Sequence, residues 1–289
     1  KITMLPDVVV QKFTLMEGTT RPVLSMYLEV RDGDLAVVSS STRVEQARIS
    51  ANLRRGALEE KFNETTLASG ELDFPFGNEL QLLWQFAESL EKSRGKPETA
   101  GAPQLDYNFY IENGRVTITE RRRGTPIDKV VSELMIHVNT AWGKLLADHD
   151  MAAIYRAQGN GKVKMSTAPG EHQGLGVGQY IWASSPLRRY VDLVNQRQLL
   201  AWLNGEAPPY AKNSERLLIA MRDFELAYEA YNHFQRTMER YWCLRWLKQE
   251  SVTLIAATVV RENLVKIEKL PLFTRLPSLP ELPAASRVE

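Results

Sequence analysis

The residues best suited to chemistry follow a glycine-rich stretch in the second half of the chain. Six of the 17 glycines lie within residues 159–178, and the segment from Ser184 to Arg189 reads Ser-Ser-Pro-Leu-Arg-Arg. This pattern predicts a helix that Ser185 caps, with Pro186 and both arginines in its first turn. The free N–H groups of a helix start and the guanidinium forks of arginine suit an oxyanion. The same residues also fit a capped surface helix whose arginines are solvated or paired with carboxylates.

Further cations lie in or beside the glycine-rich stretch: Lys162, Lys164 and His172. Glycine backbone lets a ligand or another segment approach closely, so this stretch is predicted to be a loop close to a ligand or to another backbone segment. We therefore expect one phosphate-binding site to form from these cations and the Ser184–Arg189 segment.

Other catalytic and metal-binding motifs are missing. The four histidines lack the spacing of a zinc protease, and a single cysteine excludes a disulfide framework and a zinc ribbon. Residues 159–162 lack the remaining parts of a nucleotide phosphate loop, and the glycines at 174, 176 and 178 miss the dinucleotide spacing by one residue. The closest acidic pairs lie in a predicted turn and at a predicted helix end, and neither favours a catalytic metal site: Asp32 with Asp34, and Asp148 with Asp150.

Composition indicates an ordinary globular protein, with 44% hydrophobic and 25% charged residues. The net charge is only +1, so a surface that binds a polyanion must come from local clustering. Charges interrupt the apolar runs, and the first twenty residues lack the layout of a signal peptide. We expect a soluble, cytoplasmic protein with no membrane partner. The chain opens on Lys1 rather than Met, which fits a piece of a longer protein.

Turn and periodicity signals predict the helices and strands that must position the expected phosphate-binding site. Asp-Gly and Asn-Gly pairs predict two hairpins, one around residues 23–38 and one around 107–119. Apolar spacing predicts helices near 80–90, from Pro126 to about Ala147, and from Ser214 to about Gln249. Residues 99–104 are predicted to be a loop. The aromatic residues of the last helix are expected in the core rather than on a stacking platform: Tyr228, Tyr231, Phe234, Tyr241 and Trp242.

Residues 184–192, Ser-Ser-Pro-Leu-Arg-Arg-Tyr-Val-Asp, resemble the signature of the ribonuclease II family catalytic domain. The resemblance extends through Gly174-Leu175-Gly176 and through Asn195 to Leu199, where Gln196 replaces the family's His. Earlier landmarks follow in the family's order: Met4-Leu5-Pro6, Arg21 to Ser25, and Glu133 to Ile136 with Asn139. The resemblance covers about residues 1–250.

The resemblance implies an α+β fold of antiparallel strands with packed helices, in two domains. Residues 1–250 would form a catalytic domain without its Asp-cluster segment, and residues 251–289 would begin an OB-fold RNA-binding domain. The family hydrolyses single-stranded RNA from the 3′ end to nucleoside 5′-monophosphates. Its Mg²⁺ ligands precede the Met-Leu-Pro segment, so we expect none in this chain and an inactive chain by itself. The stretch between Tyr155 and Gly174 is shorter than is typical of the family.

Individual roles also follow from the resemblance. Arg188 matches the arginine that contacts the scissile phosphate, and Glu133 matches an acidic residue at the 3′-terminal nucleotide; an exposed helix carboxylate is the alternative for Glu133. Phe109 could stack on a base or pack in the core. Arg121 to Arg123 could follow the RNA backbone or form a solvated charge run. The remaining expected RNA contacts are Ser185, Arg189 and His172. The competing hypothesis is a non-catalytic RNA-binding or scaffold chain that has lost the metal site.

Overall fold

The structure is a computed structural model that describes residues 4–95 and 105–289. Its helices and strands follow in chain order: α1 Asp7–Phe13, β1 Thr20–Val30, β2 Val37–Arg48, α2 Arg55–Leu58, α3 Glu64–Ser69, α4 Gly77–Ser93, β3 Leu105–Glu112, β4 Arg115–Arg122, α5 Pro126–Asp148, β5 Tyr155–Ala157, β6 Lys164–Ser166, α6 Tyr190–Asn204, α7 Glu215–Gln249, β7 Ala257–Arg261, β8 Leu264–Ile267, β9 Phe273–Arg275 and β10 Arg287–Val288. All pairings between these strands are antiparallel, which confirms the predicted α+β class.

The chain divides into two compact units. The described parts of 1–100 and 125–225 form the first, and those of 101–124 and 226–289 form the second. The predicted boundary at residue 250 coincides with the end of α7, but compactness groups the β3–β4 hairpin and most of α7 with the tail. The two-domain division of the sequence therefore stays a prediction.

Three apolar clusters hold the first unit together. Helices α4 and α5 share one around Phe62, which is fully buried. Farther along α5, Trp142 and Leu146 pack with Tyr155 of β5 and Leu199 of α6. The other side of α6 packs Val191 and Val194 against the start of α7. Helices α5 and α6 are therefore fixed by apolar burial, which is the largest favourable contribution to folding.

Both predicted hairpins form. The β3–β4 turn places Asn113 at φ 50° and Gly114 at φ 75°, the left-handed conformations of a two-residue turn. Strands β1 and β2 pair over a longer stretch than predicted, with a register irregularity between Glu29 and Val30. The predicted loop at 99–104 lies outside the described residues.

The second unit packs one narrow face of α7 against a four-stranded sheet of order β10-β7-β8-β9. Cys243, Trp246 and Leu247 form this face, and Val265 and Leu270 are among the sheet residues that they meet. Closure of the sheet into an OB barrel stays a prediction.

The expectation that the aromatic residues of α7 lie in the core is wrong for most of them, because the face that packs on the sheet is narrow. Four are exposed and Trp242 is half-buried; the exposed four are Tyr228, Tyr231, Phe234 and Tyr241. In the part of the chain that the structure describes, no helix is long and apolar enough to cross a membrane.

Candidate phosphate-binding site

The segment before α6 is a separate turn, not the first turn of the helix. The carbonyl of Ser185 accepts the amides of Arg188 at 3.2 Å and Arg189 at 3.1 Å, and α6 begins at Tyr190. Arg189 has extended backbone angles and is the N-cap residue. The prediction that Ser185 caps the helix is therefore wrong.

A buried carboxylate is the physical reason for this turn. Asp192 Oδ1 accepts the backbone N–H of Ser185 at 2.7 Å and Nη2 of Arg189 at 2.7 Å. The Asp192 side chain is fully buried, and burial raises its pKa while Arg189 acts in the opposite direction. The amide of Ser185 bonds this carboxylate, and the helix begins only at Tyr190. Residues 185–189 therefore form a turn that the Asp192 side chain stabilises.

Arg188 extends outward from the turn. It is exposed, and its Nη2 donates to Ser185 Oγ at 3.2 Å. It forms no ion pair with any residue of the described ranges 4–95 and 105–289. Most of its N–H groups are thus open to an anion, as recognition of a phosphate requires. Arg188 and Ser185, two of the expected RNA contacts, lie together.

Arg189 points in a different direction. Its side chain is 12% exposed, pairs with Asp192, and lies over the Trp182 ring at 4.1 Å from the centroid. Arg156 lies over the same ring at 3.5 Å. These contacts favour a positioning role for Arg189, and its expected contact with RNA stays a prediction.

Glu133 is buried on α5, at 4% exposure, so the alternative of an exposed helix carboxylate is wrong. Both of its oxygens accept from Arg94, with Arg94 Nε at 3.1 Å from Oε2. Burial raises the pKa of Glu133, and Arg94 opposes that rise. Arg94 also donates to the carbonyl of Leu175, so one guanidinium joins the end of α4, helix α5 and the glycine-rich stretch.

Arg94 was missed by the sequence reasoning. It stands beside Gly95 at the end of a predicted helix, and nothing in the local pattern connects it to a residue 39 positions later. A cavity of about 80 Å³ lies next to the Arg94–Glu133 pair, with Ser93, His137 and Thr140 among its lining residues.

The glycine-rich stretch is a loop that lies close to another backbone segment, since the backbone of Gln158 forms hydrogen bonds with Glu171 and Gln173. The amide of His172 donates to the carbonyl of Val177 at 2.8 Å, and Gln158 Oε1 accepts the amide of Gly174 at 3.2 Å. A side chain at position 174 would require the end of the Gln158 side chain to move. Lys162 and Lys164 are exposed and have no ion-pair partner among the residues that the structure describes.

His172 is buried against Tyr180, with ring centroids 5.6 Å apart. Its Nδ1 has no hydrogen-bond partner within the described residues. Burial lowers the pKa of His172, which favours the neutral ring. His172 therefore does not add a cation to the site at neutral pH, and its expected contact with RNA stays a prediction.

Buried asparagine side chains connect the surroundings of His172 to the segment that precedes the Arg188 turn. Asn139 of α5 donates to Tyr180 Oη and Ser184 Oγ, each at 3.3 Å, and accepts the amide of Ala183 at 3.0 Å. A continuous series of contacts thus runs from His172 through Tyr180 and Asn139 to Ser184, next to the turn that carries Arg188. Asn195 of α6 supports the same segment by donating to the carbonyl of Trp182 at 2.9 Å.

Phe109 belongs to the second unit. It is half-buried and packs with Ile118 against the sheet cluster, so its contacts favour the core alternative. Arg121 is also engaged, donating to Asp106 at 3.1 Å. Base stacking by Phe109 stays a prediction.

The described residues contain no cluster of possible metal ligands. Across 4–95 and 105–289, no group of three or more His, Cys, Asp or Glu residues is placed to hold a metal ion. These ranges therefore do not supply the Asp cluster that the resemblance to the ribonuclease II family implies for Mg²⁺.

Comparison with known proteins identifies the family to which this chain belongs. The RNB domain family matches residues 1–164 and 161–205, so the chain belongs to the RNB family. This confirms the resemblance to the ribonuclease II family. Exoribonuclease 2 of Pectobacterium atrosepticum is 39% identical over 59 residues, which are 20% of this chain and 9% of that protein. An uncharacterized ribonuclease of Synechocystis is 30% identical over 86 residues, 30% of this chain and 13% of that one.

Solved structures share the fold at low identity. An active-site mutant of Dss1 exoribonuclease from Candida glabrata superposes with a TM-score of 0.82 at 18% identity, over 99% of this chain and 42% of that one. Mycoplasma genitalium RNase R in complex with ribose methylated single-stranded RNA superposes with a TM-score of 0.76 at 13% identity, over 96% of this chain and 54% of that one. Yeast Ssd1, a pseudonuclease, superposes with a TM-score of 0.67 at 18% identity, over 92% of this chain and 40% of that one. The chain thus spans about half or less of these proteins.

Proposed function

We propose that this chain binds the 3′ part of a single-stranded RNA in a processive 3′-to-5′ exoribonuclease that releases nucleoside 5′-monophosphates. Arg188 contacts the scissile phosphate, and Glu133 belongs to the region that receives the terminal nucleotide. The observation that carries the proposal is the exposed Arg188 guanidinium on a turn held by buried Asp192. Membership of the RNB family and the named exoribonuclease relatives support it.

The chemistry that this chain contributes is charge stabilisation. When a phosphodiester is attacked, negative charge grows on its oxygens, and a fixed guanidinium with open N–H groups stabilises that charge without reorganising. The fixed backbone of the Ser185–Arg189 turn limits the positions that Arg188 adopts. Mg²⁺, when bound in such an enzyme, activates water. We propose that its ligands lie outside the described residues.

The test is Arg188→Lys in the longest form of the protein that its gene encodes. Lysine keeps the charge and loses the planar two-point contact, so turnover should fall about 10²–10³-fold. RNA affinity should change much less, because other phosphate contacts share the binding. Release of labelled monophosphate and equilibrium binding are measured on the same preparations.

Arg197→Lys is the matched control, because Arg197 is an exposed arginine on α6. It should leave turnover within about twofold of wild type, since Arg197 lies outside the Ser185–Arg189 turn and a conservative exposed substitution has little effect. The catalytic role of Arg188 would be rejected by equal small losses of turnover in the two variants. It would also be rejected if Arg188→Lys lowered RNA affinity and left turnover unchanged.

A second candidate function is RNA binding without hydrolysis. The likeness to the pseudonuclease Ssd1 favours it, because the fold also occurs in a protein of that description. RNA binding by the longest form of the protein without any magnesium-dependent monophosphate release would support this candidate. The two candidates predict the same Arg188–phosphate contact and differ only in turnover.

A further inference from the structure

The second unit contains a groove that the proposed catalytic role does not use. Its volume is about 600 Å³, within the roughly 300–1,000 Å³ of typical ligand clefts. The last turns of α7 and the β3–β4 turn line it: Gly114, Tyr241, Leu244, Arg245, Lys248 and Gln249. We call it the α7–hairpin groove.

The walls of the groove are fixed to each other. Gln249 Oε1 accepts the amide of Val116 at 2.8 Å, and its Nε2 donates to the carbonyl of Val116 at 3.0 Å. Arg245 Nη2 donates to the carbonyl of Gly114 at 3.3 Å. Arg115 pairs with Glu250 at 2.9 Å. The groove is therefore preformed, and an occupant does not have to order its walls.

An aromatic ring and two cations face this groove. Tyr241 is 47% exposed, and its hydroxyl accepts from Arg245 Nη1 at 3.3 Å. Trp242 supports Tyr241 edge-on, with centroids 4.9 Å apart. Lys248 has no ion-pair partner among the described residues, and none of the six lining residues is acidic.

From this arrangement we infer that the α7–hairpin groove binds single-stranded RNA, as a contact additional to the Arg188 site. The inference rests on the proposed function, because it takes RNA as the ligand. An exposed, supported aromatic ring offers a face on which any base can stack, and adjacent cations hold the phosphates. An apolar protein segment fits less well, because it would bury the positive charges of Arg245 and Lys248 without a counter-ion.

The experiment compares groove variants of the 289-residue chain in binding to a labelled uridine oligonucleotide. Tyr241→Leu removes the stacking face and should weaken binding about 10-fold, near the lower end of the range for loss of one stacked base. Lys248→Gln should reduce the slope of log affinity against log salt by about 1, since one phosphate contact is lost. Photo-crosslinking with 4-thiouridine should label the peptide that contains Tyr241.

Tyr231→Leu and Arg236→Gln are matched controls, because both residues are exposed on α7 and neither lines the groove. Both should bind RNA as wild type does. Wild-type affinity in the groove variants, or equal losses in the controls, overturns the inference. A groove variant that loses self-association in sedimentation but keeps its RNA affinity assigns the groove to a second copy of the chain, and also overturns it.

Failure of this inference differs from failure of the proposed function. If Arg188→Lys abolishes turnover while groove variants bind normally, the proposed function stands and the groove inference falls. If groove variants lose RNA affinity while Arg188→Lys leaves turnover unchanged, the inference stands and the catalytic role of Arg188 falls.

Discussion

The carboxylate of Asp192 lies 2.7 Å from the backbone amide of Ser185, seven residues earlier in the chain. This bond fixes Ser185 outside the helix that follows, and residues 185–189 form a turn. Arg189 bonds the same oxygen, so the turn contains one arginine held inward and one, Arg188, directed outward. The separation of the two arginines is therefore a consequence of one buried carboxylate.

Asp192→Leu should destabilise the protein by about 3–5 kcal/mol, because it leaves the mostly buried Arg189 without its partner. Asp192→Asn should keep an acceptor for the amide of Ser185. Hydrogen exchange at that amide should thus accelerate in the Leu variant and stay slow in the Asn variant. Urea unfolding measures the stability. Asp148→Ala removes one partner of the exposed Lys144–Asp148 pair and should cost less than about 1 kcal/mol. A Leu variant as stable as this control would contradict the positioning role.

Arg94→Leu should destabilise the protein by about 3–5 kcal/mol, since Glu133 would remain as a buried carboxylate without its cation. The double variant with Glu133→Leu should recover much of that loss, because a buried pair replaced by apolar side chains is often neutral. Both are measured by urea unfolding against Arg31→Gln, which breaks an exposed pair with Asp34. If the double variant were no more stable than the single one, coupling between Arg94 and Glu133 would be excluded.

His172 should make stability depend on pH in a defined direction. Burial lowers its pKa in the folded protein, so the unfolded chain binds the proton more tightly. The contribution of His172 is fully present above the ordinary pKa of about 6.5 and is lost as pH falls through the folded pKa. His172→Gln should flatten the fall in unfolding free energy below about pH 6.5. His233→Gln, at an exposed position on α7, should leave that profile unchanged. Identical profiles for His172→Gln and wild type would refute the assignment.

RNA binding by the 289-residue chain should depend on salt and only weakly on base identity. Arg188, Lys162 and Lys164 are exposed cations without ion-pair partners in the described part of the chain, and cations of this kind contact phosphates rather than base edges. If all three contact phosphates, these three residues alone should contribute about −2 to the slope of log affinity against log salt. Anisotropy titrations with single-stranded homopolymers at several salt concentrations test this. Dissociation constants that differ by orders of magnitude between homopolymers, or that ignore salt, would count against it.

The sequence alone was enough for the local elements and for the family. Asn-Gly at 113–114 specified the β3–β4 turn, because few other pairs adopt two left-handed conformations in succession. Apolar periodicity located α4, α5 and α7 to within a few residues. The motif around Arg188 was sufficient to identify the ribonuclease II family, because its residues are contiguous in the chain.

Contacts between residues far apart in the chain determined the features that local sequence patterns do not predict. The start of α6 could not be predicted, because Ser185 and Pro186 carry strong local signals for a helix start, and a buried carboxylate outweighs them. The Arg94–Glu133 pair has no local signal at all, since it joins the end of α4 to a residue within α5. The exposure of Tyr241 was also unpredictable: the helical pattern shows which residues share a face, but only the packed sheet decides which face of α7 is buried. Tertiary structure determined these features, because burial and pairing depend on segments far apart in the chain.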